Sequence, residues 1–569
     1  MTHSRLPVVN PLTLIALSAV YLTLALNTSF WKLLIERLGA DQAGSAVLPA
    51  LLVAFLFFLN VFLISIFRFP YVLKAAIVIM LIASAAGSYF MNKYGVLIDD
   101  GMLRNALQTD AVEVSGLISF NMIVQLVVLG LLPALLVIYT PLRWPGAGKS
   151  LIQTVGLSAL ALSLALGTVL IHFKATAPFF RVHGKEMRWR AAPFNILLST
   201  AYLLRGTKLF AKDTSFKQIA SSVTLDKSDP QSAEPALLIL VVGETARASS
   251  FSLNGYERNT NAPLDGLPVT SFTKISSCGT ATAISLPCMF SDLGRSDFSV
   301  TEAPYRENLL DLAKRAGYNT IWIDNQSGSK GVADRVSYRK ITPAEGQTSE
   351  VNDLAFISEV ESILKEPPQK TLLVLHQMGS HGPEYFKRSL ESTKHFLPEC
   401  TSKQLDQCTA ETIRNAYDNT IVNTSQLLAG IIGSVNRSAG KRPVGMVYVS
   451  DHGESLGEHG LYLHGMPYML APAEQTSVPL IYWANDEFGQ FNHTPRECVA
   501  DKANHPLSHD NLFAMMIGFL RLKTDVYRPA RDPFSNCRQR LNPSNNESAS
   551  ASANATLYKI SDQSPGLRQ

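Results

Sequence analysis

The sequence predicts two bodies in one chain: an α-helical membrane domain of five spans, followed by an exported α/β domain. Three observations predict it. Long apolar stretches are concentrated before residue 175, short β-branched runs alternate with helical patterns after residue 235, and all six cysteines lie in the second part. At 569 residues the chain exceeds what one hydrophobic core serves. With 47% hydrophobic and only 17% charged residues it is too apolar for an ordinary soluble protein. The net charge of +4 comes without a dense Lys/Arg block, which argues against a nucleic-acid partner.

Five segments, about 11–28, 45–67, 71–92, 117–140 and 151–172, each supply the roughly 20 apolar residues that a hydrocarbon layer requires. No small-residue processing site follows the first, so it reads as a span and not as a cleaved signal. Arg5, Arg68, Arg143 and Lys149 fall in one set of loops, whereas the loop 93–116 carries Asp99, Asp100, Asp110 and Glu113. The excess of basic residues places the N-terminus inside, and an odd number of spans places everything after residue 173 outside the cytoplasm. Cysteine usage gives an independent reason. Cys278, Cys288, Cys400, Cys408, Cys498 and Cys537 all fall after the last span, and an even count there reads as disulfides in an oxidising compartment. Short separations favour Cys278 with Cys288 and Cys400 with Cys408, which leaves Cys498 with Cys537.

The membrane domain therefore occupies 1–172. Residues 173–235 read as a connector whose apolar run 194–204, ending in Arg205 and Lys208, suits a helix lying on the membrane surface. Within 236–542 the runs 236–242, 320–323, 371–375, 444–449 and 478–483 are strand-length and suited to a mainly parallel sheet covered by helices on both faces. The tail 543–569 is expected to be disordered, being rich in Ser, Ala and Asn without apolar periodicity at its start. There is no internal repeat and no Walker or Rossmann glycine loop, so nucleotide chemistry has no support.

In an open α/β sheet the binding crevice lies at the carboxyl ends of the strands. The residues found there share one character. Glu244 follows the first run, His376 to His381 the third, and Asp451, His452 and Glu454 the fourth, with His464 shortly after. Carboxylate and imidazole together are zinc-type ligands. A hydroxyl becomes a nucleophile when a metal or base lowers its pKa, and the segment 276–291 is crowded with hydroxyls between Cys278 and Cys288. Residue types alone leave Thr280, Thr282 and Ser285 as candidates. In the outer loop Asn105, Thr109 and Glu113 recur every four residues, on one face of a helix.

The block Cys278-Gly-Thr-Ala-Thr282-Ala-Ile-Ser-Leu-Pro-Cys288-Met-Phe-Ser resembles the lipid A phosphoethanolamine transferases, relatives of the mobile colistin-resistance enzymes in the alkaline phosphatase superfamily. Val-Gly-Glu244-Thr-Ala-Arg, His376-Gln-Met-Gly-Ser-His381-Gly-Pro and Ser-Asp451-His452-Gly-Glu454 carry the same resemblance, which extends over nearly the whole chain. It implies a periplasmic sandwich of alkaline phosphatase/sulfatase type, anchored in a bacterial inner membrane. The transfer it implies is zinc-dependent and ping-pong, carrying phosphoethanolamine from phosphatidylethanolamine to lipid A and conferring resistance to cationic peptides such as polymyxin. Thr282 would be the nucleophile, and Glu244, Thr282, Asp451 and His452 the ligands of the principal zinc. His381 and His464 match positions that bind a second zinc or the transferred phosphate, and His464 or Glu454 would assist proton transfer. Lys330 matches a phosphate-contacting lysine, while Gln326 and His459 stand where relatives carry Asn. Asn105, Thr109 and Glu113 would meet the ethanolamine end of the donor, and the chain is expected to act as a monomer. The rival readings are transfer to a core sugar, a phosphatase, a metal-stabilised sensor, and a sulfatase. For the sulfatase, Ser285-Leu-Pro-Cys-Met289 lacks the arginine that its nucleophile motif requires.

Overall fold

The structure, a computed structural model, describes residues 7–42, 47–108, 114, 116–171, 173–205, 215–226, 230–342 and 351–540. Four described helices are long and apolar enough to cross a membrane: Val47–Ile66, Val72–Tyr94, Phe120–Tyr139 and Ala147–Ile171. A fifth span arises if Pro11–Leu24 and Thr28–Glu36, bent by 50°, count as one. The expected continuous run 11–28 breaks at Asn27. Its buried side chain donates to the Leu22 and Ala192 carbonyls (2.7 and 2.8 Å) and accepts from the Ala192 N–H at 2.8 Å. These bonds tie the bend to the start of the last helix before the α/β domain. In the span Phe120–Tyr139, the stretch Leu126–Leu131 is π-helical just ahead of Pro133, whose missing N–H disturbs the ladder. Asn60 joins spans, donating to Thr23 Oγ1 at 3.0 Å.

The helix Phe194–Arg205, expected at the membrane surface, buries its polar residues Asn195 and Ser199 and exposes Leu197, Leu198, Tyr202 and Leu204. Ser199 Oγ donates to the Ile98 carbonyl at 3.0 Å, so the polar side is docked on protein and the apolar side faces outward. Within the expected connector, Val223–Leu225 pairs antiparallel with Leu522–Thr524 and so belongs to the α/β body.

That body is built on eight strands: β1 (Leu237–Gly243), β2 (Thr270–Ser276), β3 (Asn319–Asp324), β4 (Ser337–Lys340), β5 (Thr371–His376), β6 (Val444–Ser450), β7 (Ser477–Ala484) and β8 (Leu507–Ser508). Their order is β8-β2-β7-β6-β1-β5-β3-β4, all parallel except β7. β1, β5 and β6 are buried along their whole length, as central strands covered on both faces must be. Leu238, Leu240 and Val242 of β1 enter one core, and Leu237, Ile239 and Val241 the other. The register sets Gly243 beside Ser450 and Val242 beside His376. The residues that follow these three strands therefore leave the sheet at one level. The helix Asp100–Gln108, from the loop between Val72–Tyr94 and Phe120–Tyr139, packs on the Thr282–Met289 helix at this edge.

Candidate metal centre and nucleophile

Glu244, Asp451 and His452 are fully buried and place one ligand atom each within 4.8 Å of one another. His452 Nε2 lies 3.4 Å from Glu244 Oε1 and 3.3 Å from Asp451 Oδ2. Its Nδ1 meets the Gly453 carbonyl at 3.0 Å, which holds the ring with Nε2 directed at the two carboxylates. Asp451 Oδ1 accepts from the His452 and Thr245 amides (2.8 and 3.2 Å), whereas Oδ2 is buried without a hydrogen-bond partner. An orphaned buried carboxylate oxygen beside a second carboxylate and an aimed imidazole fits a divalent cation of the zinc type.

Thr282 opens the helix Thr282–Met289, which no side chain caps, and its Oγ1 stands 3.0 and 3.1 Å from the two Glu244 oxygens and 3.3 Å from His452 Nε2. The other two candidate hydroxyls are engaged elsewhere. Thr280 Oγ1 donates to the Met466 carbonyl at 2.6 Å, and Ser285 Oγ to the Asp451 carbonyl at 2.5 Å. Thr282 is thus the candidate that faces the donor set, and Ser285 ties its helix to the strand end that bears Asp451.

Without a cation the cluster is electrostatically frustrated. Burial opposes ionisation of Glu244, but the hydrogen bond and charge of His452 outweigh it and hold the carboxyl below its usual range. Burial, reinforced by the Glu244 charge, pushes Asp451 up to about 7. His452 is raised to about 10, because Asp451 and Glu244 overcome the burial penalty.

His381 and His464 stand beside this cluster, their ring centroids 5.4 Å apart, with His464 4.5 Å from His452. His464 Nδ1 bonds Glu454 at 2.8 Å, and Glu454 accepts from the Tyr385 hydroxyl at 2.7 Å. Glu454 is wholly buried, so it orients His464 from behind. Lys330 is not among the donors and lines a neighbouring cavity with Arg104. Asn105 lies half-buried on the Asp100–Gln108 helix, while Thr109 and Glu113 lie outside the described residues. His459 is exposed, away from the cluster. All six cysteines are paired: Cys278–Cys288, Cys400–Cys408 and Cys498–Cys537.

Residues without an assigned role in the sequence reading complete the support. Gln326 donates to Glu244 Oε2 at 2.6 Å, and its own N–H is held by Asp324 Oδ1 at 2.7 Å. Asp324, at the end of β3, also binds His376 Nδ1 at 2.9 Å, at the end of β5. His509 accepts from the Cys278 N–H and donates to the Ser450 carbonyl, both at 3.0 Å. Burial pushes this imidazole down to about 3, so it is neutral and bridges the loop that leads to Thr282 to the strand that precedes Asp451 and His452. The ends of β3 and β5 were visible in the sequence for Asp324 and His376, whereas nothing local marks His509.

The sulfatase family profile matches residues 236–521, and the profile of the phosphoethanolamine transferases EptA/EptB matches residues 56–207. Phosphatidylethanolamine transferase Mcr-1 of Escherichia coli is 38% identical over 84% of this chain and 91% of its own length. Phosphoethanolamine transferase EptA of Escherichia coli K12 is 31% identical over 94% of this chain and 98% of its own. Among solved structures, the integral membrane lipooligosaccharide phosphoethanolamine transferase A (EptA) from Neisseria meningitidis superposes with a TM-score of 0.89 at 33% identity, covering 94% of this chain and 100% of that one. A membrane bundle joined to a sulfatase-type α/β domain, aligned almost end to end with these relatives, makes this chain a member of the phosphoethanolamine transferase family.

Proposed function

We propose that the chain transfers phosphoethanolamine from phosphatidylethanolamine to lipid A in two in-line displacements, with Thr282 as the nucleophile. The observation that carries the reading is Thr282 Oγ1 lying within 3.1 Å of both Glu244 oxygens, inside a buried metal-type donor set. Zinc held there by Glu244, Asp451, His452 and Thr282 would lower the pKa of the hydroxyl and offset charge on the phosphoryl oxygens. In the first displacement the Thr282 oxygen bonds phosphorus and the diacylglycerol oxygen leaves, taking a proton. In the second, a lipid A oxygen attacks phosphorus and Thr282 is restored, which gives ping-pong kinetics.

The chain's own residues divide the remaining work. The uncapped start of the Thr282–Met289 helix receives the anionic phosphoryl group. Burial, outweighing the Glu454 charge, keeps His464 neutral, and Glu454 fixes its tautomer, so it is placed to pass the proton. His381 completes a second metal or phosphate position beside it. Asn105, Thr109 and Glu113 receive the ethanolamine end. The relatives' names, which speak of phosphatidylethanolamine, phosphoethanolamine and an integral membrane lipooligosaccharide transferase, support this donor, this group and a lipooligosaccharide-type acceptor, of which the reading takes lipid A, met at the periplasmic face of a bacterial inner membrane. The added amine offsets negative surface charge and weakens attraction of polymyxin-like peptides.

Mass spectrometry of lipopolysaccharide from cells with and without the chain tests the destination: phosphoethanolamine is expected on lipid A, and its appearance on the core sugars alone would overturn that. Intact-protein mass of the chain incubated with phosphatidylethanolamine should show a phosphoethanolamine adduct that Thr282→Ala abolishes. Survival of the adduct would move the nucleophile to Thr280 or Ser285.

A further inference from the structure

Asp353 stands just ahead of the helix Ala355–Lys365, outside the metal-type donor set, and is buried. Its carboxylate accepts four hydrogen bonds, two on each oxygen. Oδ1 accepts from Asn325 Nδ2 at 2.7 Å and from the Met378 N–H at 3.1 Å, and Oδ2 from the Gly379 N–H at 3.0 Å and from Gln377 Nε2 at 3.1 Å. Every donor is an uncharged amide. Asn325 belongs to the turn after β3, and Gln377, Met378 and Gly379 to the turn after β5. Asn325 also joins the two turns directly, its Oδ1 accepting from the Met378 N–H at 2.8 Å.

Both turns reach Glu244. From the first, Gln326, the neighbour of Asn325, donates to Glu244 Oε2 at 2.6 Å. From the second, Ser380, the neighbour of Gly379, donates its N–H to the Glu244 carbonyl at 3.0 Å. Side chain and backbone of Glu244 are thus held from two sides, and the two sides meet at Asp353. A carboxylate suits this place because it offers about four lone-pair sites and no donor, whereas an asparagine would turn its NH2 toward two N–H groups. We propose that Asp353 is a positioning residue for the metal centre: by clamping the turns after β3 and β5 together, it fixes where Glu244 presents its oxygens to the cation and to Thr282. It acts through Gln326 and Ser380 and is not itself a ligand.

The inference rests on the zinc reading above, and its test separates the two. The full-length chain in detergent is loaded with zinc for chelator competition, and with cobalt(II), whose visible absorption bands report the geometry of its ligands. Asp353→Asn keeps the size of the side chain and should weaken zinc binding about tenfold while shifting the cobalt bands. The control is Asp532→Asn, at another buried carboxylate, which accepts from the Phe534 N–H, Tyr527 and Arg538. It should lower the melting temperature yet leave zinc affinity and the cobalt bands as in the native chain. Combining Asp353→Asn with Gln326→Leu should cost less than the product of the two single losses, because both act on Glu244. If Asp353→Asn does not fold, Asn325→Ala, which cuts the clamp from the first turn, should lower zinc affinity in its place. Native affinity and native cobalt bands in the folded variant would make the clamp a matter of folding alone and overturn the proposal, and losses that simply multiply would overturn the route through Gln326. If the native chain takes up neither zinc nor cobalt, the zinc reading falls and the clamp's role with it; if it takes up both and only the dependence on Asp353 is missing, the zinc reading stands and this inference alone falls.

Discussion

Asp451 Oδ2 and His452 Nε2 face each other at 3.3 Å in a site closed to solvent, and this sets how the centre responds to pH. With Asp451 raised to about 7 and His452 to about 10, the metal-free cluster holds about one to two protons at neutral pH that a cation must displace. Zinc binding should therefore release about one to two protons at pH 7, and affinity should fall by about tenfold per displaced proton for each unit of acidification. Titration calorimetry in buffers of different ionisation enthalpy measures the number; a binding step with no proton release would contradict this protonation pattern. Gln326 gives a second expectation at the same scale. Its amide donates to Glu244 Oε2 at 2.6 Å, the shorter of the two bonds to that oxygen, so Gln326→Leu should loosen Glu244 and cost about tenfold to a hundredfold in zinc affinity, read by chelator competition. Unchanged affinity would show that Glu244 is positioned by the rest of the cluster alone.

At the scale of elements, the site depends on turns that deliver side chains from parallel strands. Gly379, after β5, has φ +54°, and a Cβ there would lie 2.7 Å from the Glu244 carbonyl. Gly379→Ala therefore combines left-handed strain with a backbone clash that cannot relax without moving Glu244. It should lower the melting temperature of the purified chain and reduce zinc content together; loss of neither would refute the packing argument. The disulfides differ in the loops they close. By chain entropy, linking Cys498 to Cys537 across 39 residues stabilises by about 4 kcal/mol, against about 2.5 kcal/mol for Cys400–Cys408 across eight. Alanine at the first pair should thus lower the melting temperature more. The strands that carry ligands were legible in the sequence because they are buried on both faces and continuously apolar. β2 was not, since in Thr270–Ser276 only Phe272 and Ile275 are buried, nor was β4, which is exposed throughout. Likewise Glu244, Asp451 and His452 stood out as polar residues directly after apolar runs. The choice of Thr282 over Thr280 and Ser285 depends on which carbonyls accept from the others, and spacing does not encode that.

At the scale of the molecule, the structure sorts the loops of the membrane part into two ends. Val9 and Arg143 exchange backbone bonds with each other's segment: Val9 N–H reaches the Pro141 carbonyl at 3.0 Å and Arg143 N–H the Val9 carbonyl at 3.1 Å. Arg68 is fully buried, donating to the Ser150 carbonyl at 2.8 Å, Gln153 at 2.7 Å and Thr154 at 3.0 Å. The N-terminal segment and the basic loops around residues 68 and 143–149 therefore share one end. The other end meets the α/β domain, where Lys93 pairs with Asp406 and Asn121 donates to Gln404 at 2.8 Å. On the expected retention of basic loops in the cytoplasm, the edge that bears the donor set faces the opposite side, where cysteines oxidise. A reporter enzyme that is active only after export should be silent when fused after residue 145 and active when fused after residue 235. The reverse pattern would place three disulfides and the donor set in a reducing compartment, and would require the outer-loop helix Asp100–Gln108 to meet lipid from the cytoplasmic leaflet.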